Sequence, residues 1–162
     1  MGSKPLKNKY MNLFIGLGLV VFSLNVFAAI PRETISPDQS LYAKVIEAYR
    51  QGDKLLLNKS VRLLIKNYPQ SVHADNALYL NGMLALSKSE YKRALKNFVL
   101  LQKFYPNGNK LPAALMGKGI SYRKLGKLDK AEKAFKMVQT RFPKSPEFYQ
   151  SGLQLKLLKQ EE

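Results

Sequence analysis

The chain of 162 residues has no cysteine, which excludes disulfides, thiol chemistry and a lipid-acceptor cysteine behind an export signal. A bacterial lipoprotein is therefore not expected. Histidine occurs once, as His73, so no pair of imidazoles exists, and neither an HExxH motif nor an Asp-x-Asp cluster supplies metal ligands. His73 follows a Tyr-Pro junction at the start of a helix, where it reads as a surface residue. Gly16-Leu17-Gly18 lies inside an apolar leader and is not a phosphate loop. These absences leave no catalytic constellation: the expectation is a non-enzyme with no cofactor and no metal site. Acidic residues are also scarce, 11 against 27 lysines and arginines, a formal charge of +16.

What is present begins with an address. Lys4, Lys7 and Lys9 precede an apolar run from Met11 to Phe22 that continues through Phe27 to Ala28-Ala29. A basic start, an apolar middle and small residues at the end describe a secretory signal, with Val26 and Ala28 at the small-residue positions before a cut. The expected organisation is a signal peptide at 1–28, a short linker at 29–37 and one domain at 38–162. The alternative is an inner-membrane anchor formed by residues 11–27, a length of about 17 residues at the short limit for a spanning helix.

The rest of the chain repeats. Tyr68-Pro69, Tyr105-Pro106 and Phe142-Pro143 recur at intervals of 37 residues. Aligned on these prolines, Leu41, Leu78 and Leu115 fall in register, as do Val45, Gly82 and Gly119; Leu57, Ala94 and Ala131; and Val61, Phe98 and Phe135. Proline lacks an N–H and restricts the residue before it, so each aromatic marks a helix end. Gly82 with Ala94 and Gly119 with Ala131 let two helices approach closely. Copy one departs from this, with Val45 and Leu57 at the small-residue places. Helices are predicted at about 38–50, 54–67, 72–87, 90–104, 111–125 and 128–141, with turns at Gln51-Gly52-Asp53, Ser87-Lys88-Ser89 and Gly126-Lys127. A seventh begins after Ser145-Pro146, where Ser145 is the expected cap, with apolar positions Tyr149, Leu153, Leu157 and Leu158.

The third copy, Leu115-x2-Lys118-Gly119-x2-Tyr122, then Ala131-x3-Phe135, then Pro143, resembles a tetratricopeptide repeat. The resemblance implies an all-α superhelix of three helix hairpins, at about 38–71, 75–108 and 112–145, and a C-terminal capping helix at about 146–160. The period exceeds the usual unit of about 34 residues by three, in stretches such as Gln70-Ser71-Val72 and Asn107-Gly108-Asn109 that resemble bacterial envelope tetratricopeptide proteins. Tyr68-Pro69-Gln70-Ser71-x2-Ala74-x2-Ala77-Leu78-Tyr79 looks like the Tol–Pal-associated periplasmic family known as YbgF or CpoB and, less closely, BamD-like assembly lipoproteins. The missing cysteine argues against the second, and the absence of heptads between Ile30 and Pro37 departs from the coiled coil of the first.

In that fold the first helix of each pair lines a groove, which the resemblance places at Tyr42, Ile46, Tyr49 and Arg50, then Asn76, Tyr79, Met83 and Leu86, then Met116, Ile120 and Arg123. These aromatic and aliphatic residues suit a peptide or helix, and they lack the lysine and asparagine set that clamps an acidic C-terminus. The implied role is an exported scaffold for protein–protein interaction in the cell envelope, as in Tol–Pal-like maintenance or cell division. With the signal and its three lysines removed, 24 basic residues face 11 acidic ones, a formal +13. They cluster late, at Lys124, Lys127, Lys130, Lys133 and Lys136. This basic surface raises a second reading, an anionic envelope polymer or membrane surface as partner. A third is a membrane-anchored assembly factor for a pilus or secretion machine. Nucleic acid is not expected, because no motif that reads it occurs.

N-terminal sequencing of the protein isolated from the envelope tests the address: the first residue is expected to be Ala29, and Met1 or Met11 on a membrane-bound species would refute it.

Overall fold

The computed structural model describes residues 35–160. The signal peptide at 1–28, its anchor alternative at 11–27 and most of the linker lie outside the described residues. Within them seven helices follow one another: α1 (Pro37–Gln51), α2 (Lys54–Asn67), α3 (Ala74–Ser87), α4 (Tyr91–Phe104), α5 (Leu111–Lys124), α6 (Leu128–Arg141) and α7 (Pro146–Leu158). They pair as hairpins α1–α2, α3–α4 and α5–α6, with α7 packed on α6 and α5. This is an all-α, tetratricopeptide-type superhelix. The predicted helices agree with the observed ones to within two residues at every end.

Local chemistry accounts for most boundaries. Pro37 occupies the first turn of α1, and Ser36 forms a capping box with Gln39: the Ser36 hydroxyl accepts from the Gln39 amide, and the Gln39 side chain accepts from the Ser36 amide at 3.1 Å. Asp53 caps α2, its carboxylate accepting from the amides of Leu55 (3.0 Å) and Leu56 (2.9 Å). At the far ends, the pre-proline aromatics adopt nearly one conformation, with φ/ψ of −136/60° at Tyr68, −129/60° at Tyr105 and −132/54° at Phe142. Proline forbids the helical region to its predecessor, and each chain leaves its helix at the same angle. Each junction then closes with one turn bond, Ser71 to Tyr68, Gly108 to Tyr105 and Ser145 to Phe142, all at 3.0 Å.

The loops between repeats and the junctions beside them bind the copies to one another. The Ser71 hydroxyl donates to the Asp38 carboxylate at 2.7 Å. One repeat later the Lys110 amide donates to Asp75 at 3.3 Å. An aspartate near the start of one repeat thus holds the loop that opens the next. The neighbouring prolines are tied the same way: the Tyr105 hydroxyl donates to the Pro69 carbonyl at 3.0 Å, and Arg141 to that of Pro106 at 3.5 Å.

In the core, phenylalanine rings sit where glycine leaves room. A Cβ on Gly82 would lie 2.5 Å from the Phe98 ring, and one on Gly119 would overlap the Phe135 ring. Both rings are fully buried. Copy one keeps the volume and redistributes it, with Val45 and Val61 buried at the equivalent places. Gly117, unremarked in the sequence, also lies against the tip of the Phe98 ring, so this ring meets both α3 and α5 and joins two hairpins.

Two expectations need correction at the C-terminal end. Ser145 makes no side-chain capping bond to α7; its hydroxyl is buried without a partner. The helix also presents a different face from the one expected. Ser151 (0% exposed) and Leu158 (2%) are buried, while Tyr149 (80%) and Leu153 (58%) stand in solvent. The reason is Gln139 of α6, whose side chain donates to the Ser151 hydroxyl at 2.6 Å and to the Phe148 carbonyl, turning a polar stripe inward.

Gly119→Ala is expected to cost about 1–3 kcal/mol through overpacking against a ring that cannot retreat. Gly152→Ala, whose Cβ would meet only Gln139 at 3.6 Å, is expected to gain up to about 1 kcal/mol from helix propensity. Denaturant melts of the two variants should move in opposite directions. A second substitution uses the hairpin turns, where Gly52 (φ 68°), Ser89 (φ 58°) and Gly126 (φ 69°) occupy one repeat position. Ser89 carries the left-handed strain that its two counterparts avoid, so Ser89→Gly is expected to stabilise by about 0.5–1 kcal/mol in the same assay.

Candidate functional site

The positions expected to line a groove follow the repeat: 42, 79 and 116; 46, 83 and 120; 49, 86 and 123, each 37 apart. Helical spacing of four and three puts each trio on one stripe of its helix. Tyr42, Tyr49, Tyr79, Met83, Leu86 and Ile120 are half-buried and packed against the core with part of each side chain accessible. Ile46, Asn76 and Arg123 are half-buried, and Arg50 is exposed. Met116 differs from expectation: at 6% exposed it belongs to the core and offers almost no surface.

Several of these side chains are held in place. The Asn76 amide donates to the Tyr42 hydroxyl, and the Tyr42 ring stacks on His73 with centroids 4.3 Å apart and planes 5° from parallel. Tyr79 packs tilted against Phe98 at 6.3 Å, with the Lys110 ammonium 5.8 Å from its ring. Burial pushes the Tyr79 phenol above its usual value, with smaller contributions from Tyr49 of α1 and Glu147 of α7. The centre of the stripe thus lies within electrostatic reach of Tyr49 in α1 and Glu147 in α7. A surface of fixed aromatics costs little entropy when a partner covers it.

A second feature was missed in the sequence. A cleft of about 680 Å³ opens between α2 and α4 over the floor of α3. Its base is a polar network. The Arg93 guanidinium donates to Asn81 (2.9 Å) and Asn58 (3.2 Å), the Asn81 amide donates to Asn58 (3.0 Å) and Asn97 (3.1 Å), and the Asn97 amide donates to the Arg93 carbonyl at 3.0 Å. Asn81 and Asn97 are buried, and the bonds satisfy both amides. Joined to this network through Arg93, Glu90 pairs with Lys54 and with Arg93 (2.5 Å), which hold its carboxyl below the usual glutamate value, Lys54 contributing most. On the rim stand Arg62, Lys66 and Lys96, all exposed and none in an ion pair among the described residues. A signal for the network existed: Asn81 and Asn97 directly precede Gly82 and Phe98 and share their 16-residue spacing across the hairpin.

The expected basic residues Lys124, Lys127, Lys130, Lys133 and Lys136 are all exposed. Lys136 pairs with Glu132 at 2.8 Å. Lys130 and Lys133 line a smaller cleft of about 180 Å³ with Lys118, Tyr122 and Met137. Lys118 is half-buried, its ammonium donates to Gln102 at 2.7 Å, and burial lowers its proton affinity below that of an ordinary lysine.

Among the described residues, no three His, Cys, Asp or Glu side chains gather where they could hold a metal ion, and no helix is long and apolar enough to cross a membrane. Two half-exposed surfaces, an apolar stripe and a basic cleft, on a framework of stacked hairpins define a repeat protein of the interaction-scaffold class. The family model described as tetratricopeptide repeat matches residues 113–145, which cover α5, α6 and the Phe142-Pro143 junction. The third hairpin thus matches a tetratricopeptide repeat, and the two hairpins before it share its helix-pair architecture; tetratricopeptide folds typically serve as scaffolds for protein–protein interaction. A search of curated proteins finds no match.

Proposed function

We propose that this protein is an exported scaffold of the bacterial cell envelope that binds a protein or peptide partner along the stripe formed by α1, α3 and α5. The observation that carries the proposal is the register of that stripe. Tyr42, Tyr49, Tyr79, Met83, Leu86 and Ile120 recur at repeat positions, half-covered and anchored to the core. Side chains that serve packing alone are usually covered completely, whereas a partly exposed apolar row rimmed by polar groups suits an extended or helical segment laid across it. Export rests on the basic, apolar and small-residue pattern of residues 4–29. A periplasmic location with a role in envelope maintenance follows from the resemblance of the repeats to the Tol–Pal-associated family. The same leader kept as an anchor supports an inner-membrane assembly factor instead.

A cross-linked pull-down from envelope extract identifies the partner, and titration with the purified partner then tests the stripe. Tyr79→Ala with Met83→Ala is expected to weaken binding by about 2 kcal/mol or more, as for a central anchor pair. Circular dichroism must first show the double variant folded. Unchanged affinity in a folded variant would refute the stripe as the binding surface.

A further inference from the structure

The two basic clefts are one feature repeated. Moving 37 residues along the chain takes Asn81 to Lys118, Arg93 to Lys130 and Lys96 to Lys133. The first member of each pair lines the larger cleft and the second lines the smaller. Helix α4 stands between them: Arg93, Lys96 and Asn97 face the first, while Gln102 receives Lys118 and lies 3.6 Å from the Met137 sulfur of the second. Neither cleft has an acidic residue among its lining. Glu90 is occupied by Lys54 and Arg93, and Glu132 by Lys136.

We propose that these adjacent clefts form one binding site for a linear polyphosphate-type anion, whose successive phosphates sit between α2 and α4 and then beside α5 and α6. The choice of phosphate follows from the cations that remain available. Arg93, whose planar fork would pair a carboxylate in two-point fashion, is already bonded to Glu90, Asn58 and Asn81. The groups left unpaired are Lys66, Lys96, Lys130 and Lys133, together with Arg62. Ammonium groups are point charges without a planar preference, which suits a tetrahedral oxyanion carrying more charge than a carboxylate. Lys118, half-buried and bonded only to a neutral amide, would gain the anionic neighbour that it lacks. The unpaired cations of the site stand on α2, α4 and α6, whereas the apolar stripe runs along α1, α3 and α5, and the site stands or falls independently of the scaffold reading.

Calorimetric titration of the full-length chain with short-chain polyphosphate tests this across a salt series. Lys66→Ala with Lys96→Ala removes charge from the first cleft, and Lys130→Ala with Lys133→Ala removes it from the second. Each pair is expected to weaken binding about tenfold or more and to flatten the dependence of log K on log salt by roughly 0.7 per lysine lost, as for a single-stranded polyanion. Lys44→Ala with Lys144→Ala removes the same charge outside both clefts and should leave affinity within about twofold. All six positions are exposed, and circular dichroism confirms folding. Equal loss in the Lys44 and Lys144 control would overturn the proposal in favour of diffuse charge attraction. Poly-glutamate binding as tightly as polyphosphate would overturn the phosphate class. Glycerol phosphate, the headgroup unit of an anionic lipid, should bind far more weakly than the chain, because it can fill only one cleft at a time. Equal affinity would replace the chain with a lipid headgroup as the ligand and overturn the two-cleft site.

Discussion

The seating of one aromatic ring against glycine is the interaction on which the stack depends. Phe98 lies fully buried with both Gly82 of its own hairpin and Gly117 of the next against the tip of its ring. No side chain could stand at either glycine without moving the ring. Close packing allows little of that, because interiors are as dense as molecular crystals and contain few voids. The ring therefore fixes two separations at once, α3 to α4 and α4 to α5. Phe135 against Gly119 repeats the first of these contacts. A hairpin cannot bury its own apolar face, so this cross-repeat contact turns three marginal units into one core.

The surfaces follow from that stacking. Because each repeat advances by the same rotation, residues 37 apart occupy equivalent places, and a preference at one position becomes a stripe along the molecule. Helices α1, α3 and α5 present aromatics and aliphatics in this way, half-sunk into the core. Helices α2, α4 and α6 instead frame clefts with amides at the base and cations at the rim. The two chemistries stay apart because the small residues that join each hairpin occupy the faces between them. In the larger cleft, Glu90 neutralises the most buried cation, Arg93, while the exposed cations have no acidic counterpart. The positive field is thus concentrated at the rim, where solvent and ligands reach it.

Where sequence reasoning failed, the cause was non-local. Gly117 stands 35 residues from Gly82, outside the repeat register, and alignment on the prolines conceals its contact with Phe98. Met116 matches Tyr79 in register but is covered, and the last full repeat packs against α7 as well as its own partner. Helix α7 has Tyr149 and Leu153 where an amphipathic reading expects a buried face. Gln139 nonetheless draws Ser151 inward. The asparagine network lacked periodicity: Asn81 becomes Lys118 in the next copy and Asn97 becomes Ala134.

The sequence by itself determined the repeat length, the helix ends and the pairing of hairpins. These rest on short-range rules: proline excludes helical geometry at the residue before it, glycine tolerates positive φ at residues 52 and 126, and Ser36 and Asp53 cap the helices that begin after them. Such rules act within a few residues and are visible in one dimension. Tertiary structure alone decided which face α7 buries, which groove residue disappears into the core, and that Arg93, Asn58, Asn81 and Asn97 meet at the base of a cleft. Each of these depends on side chains brought together from different helices. Their energies come from packing volume and from hydrogen bonds shielded from water, which no local pattern specifies.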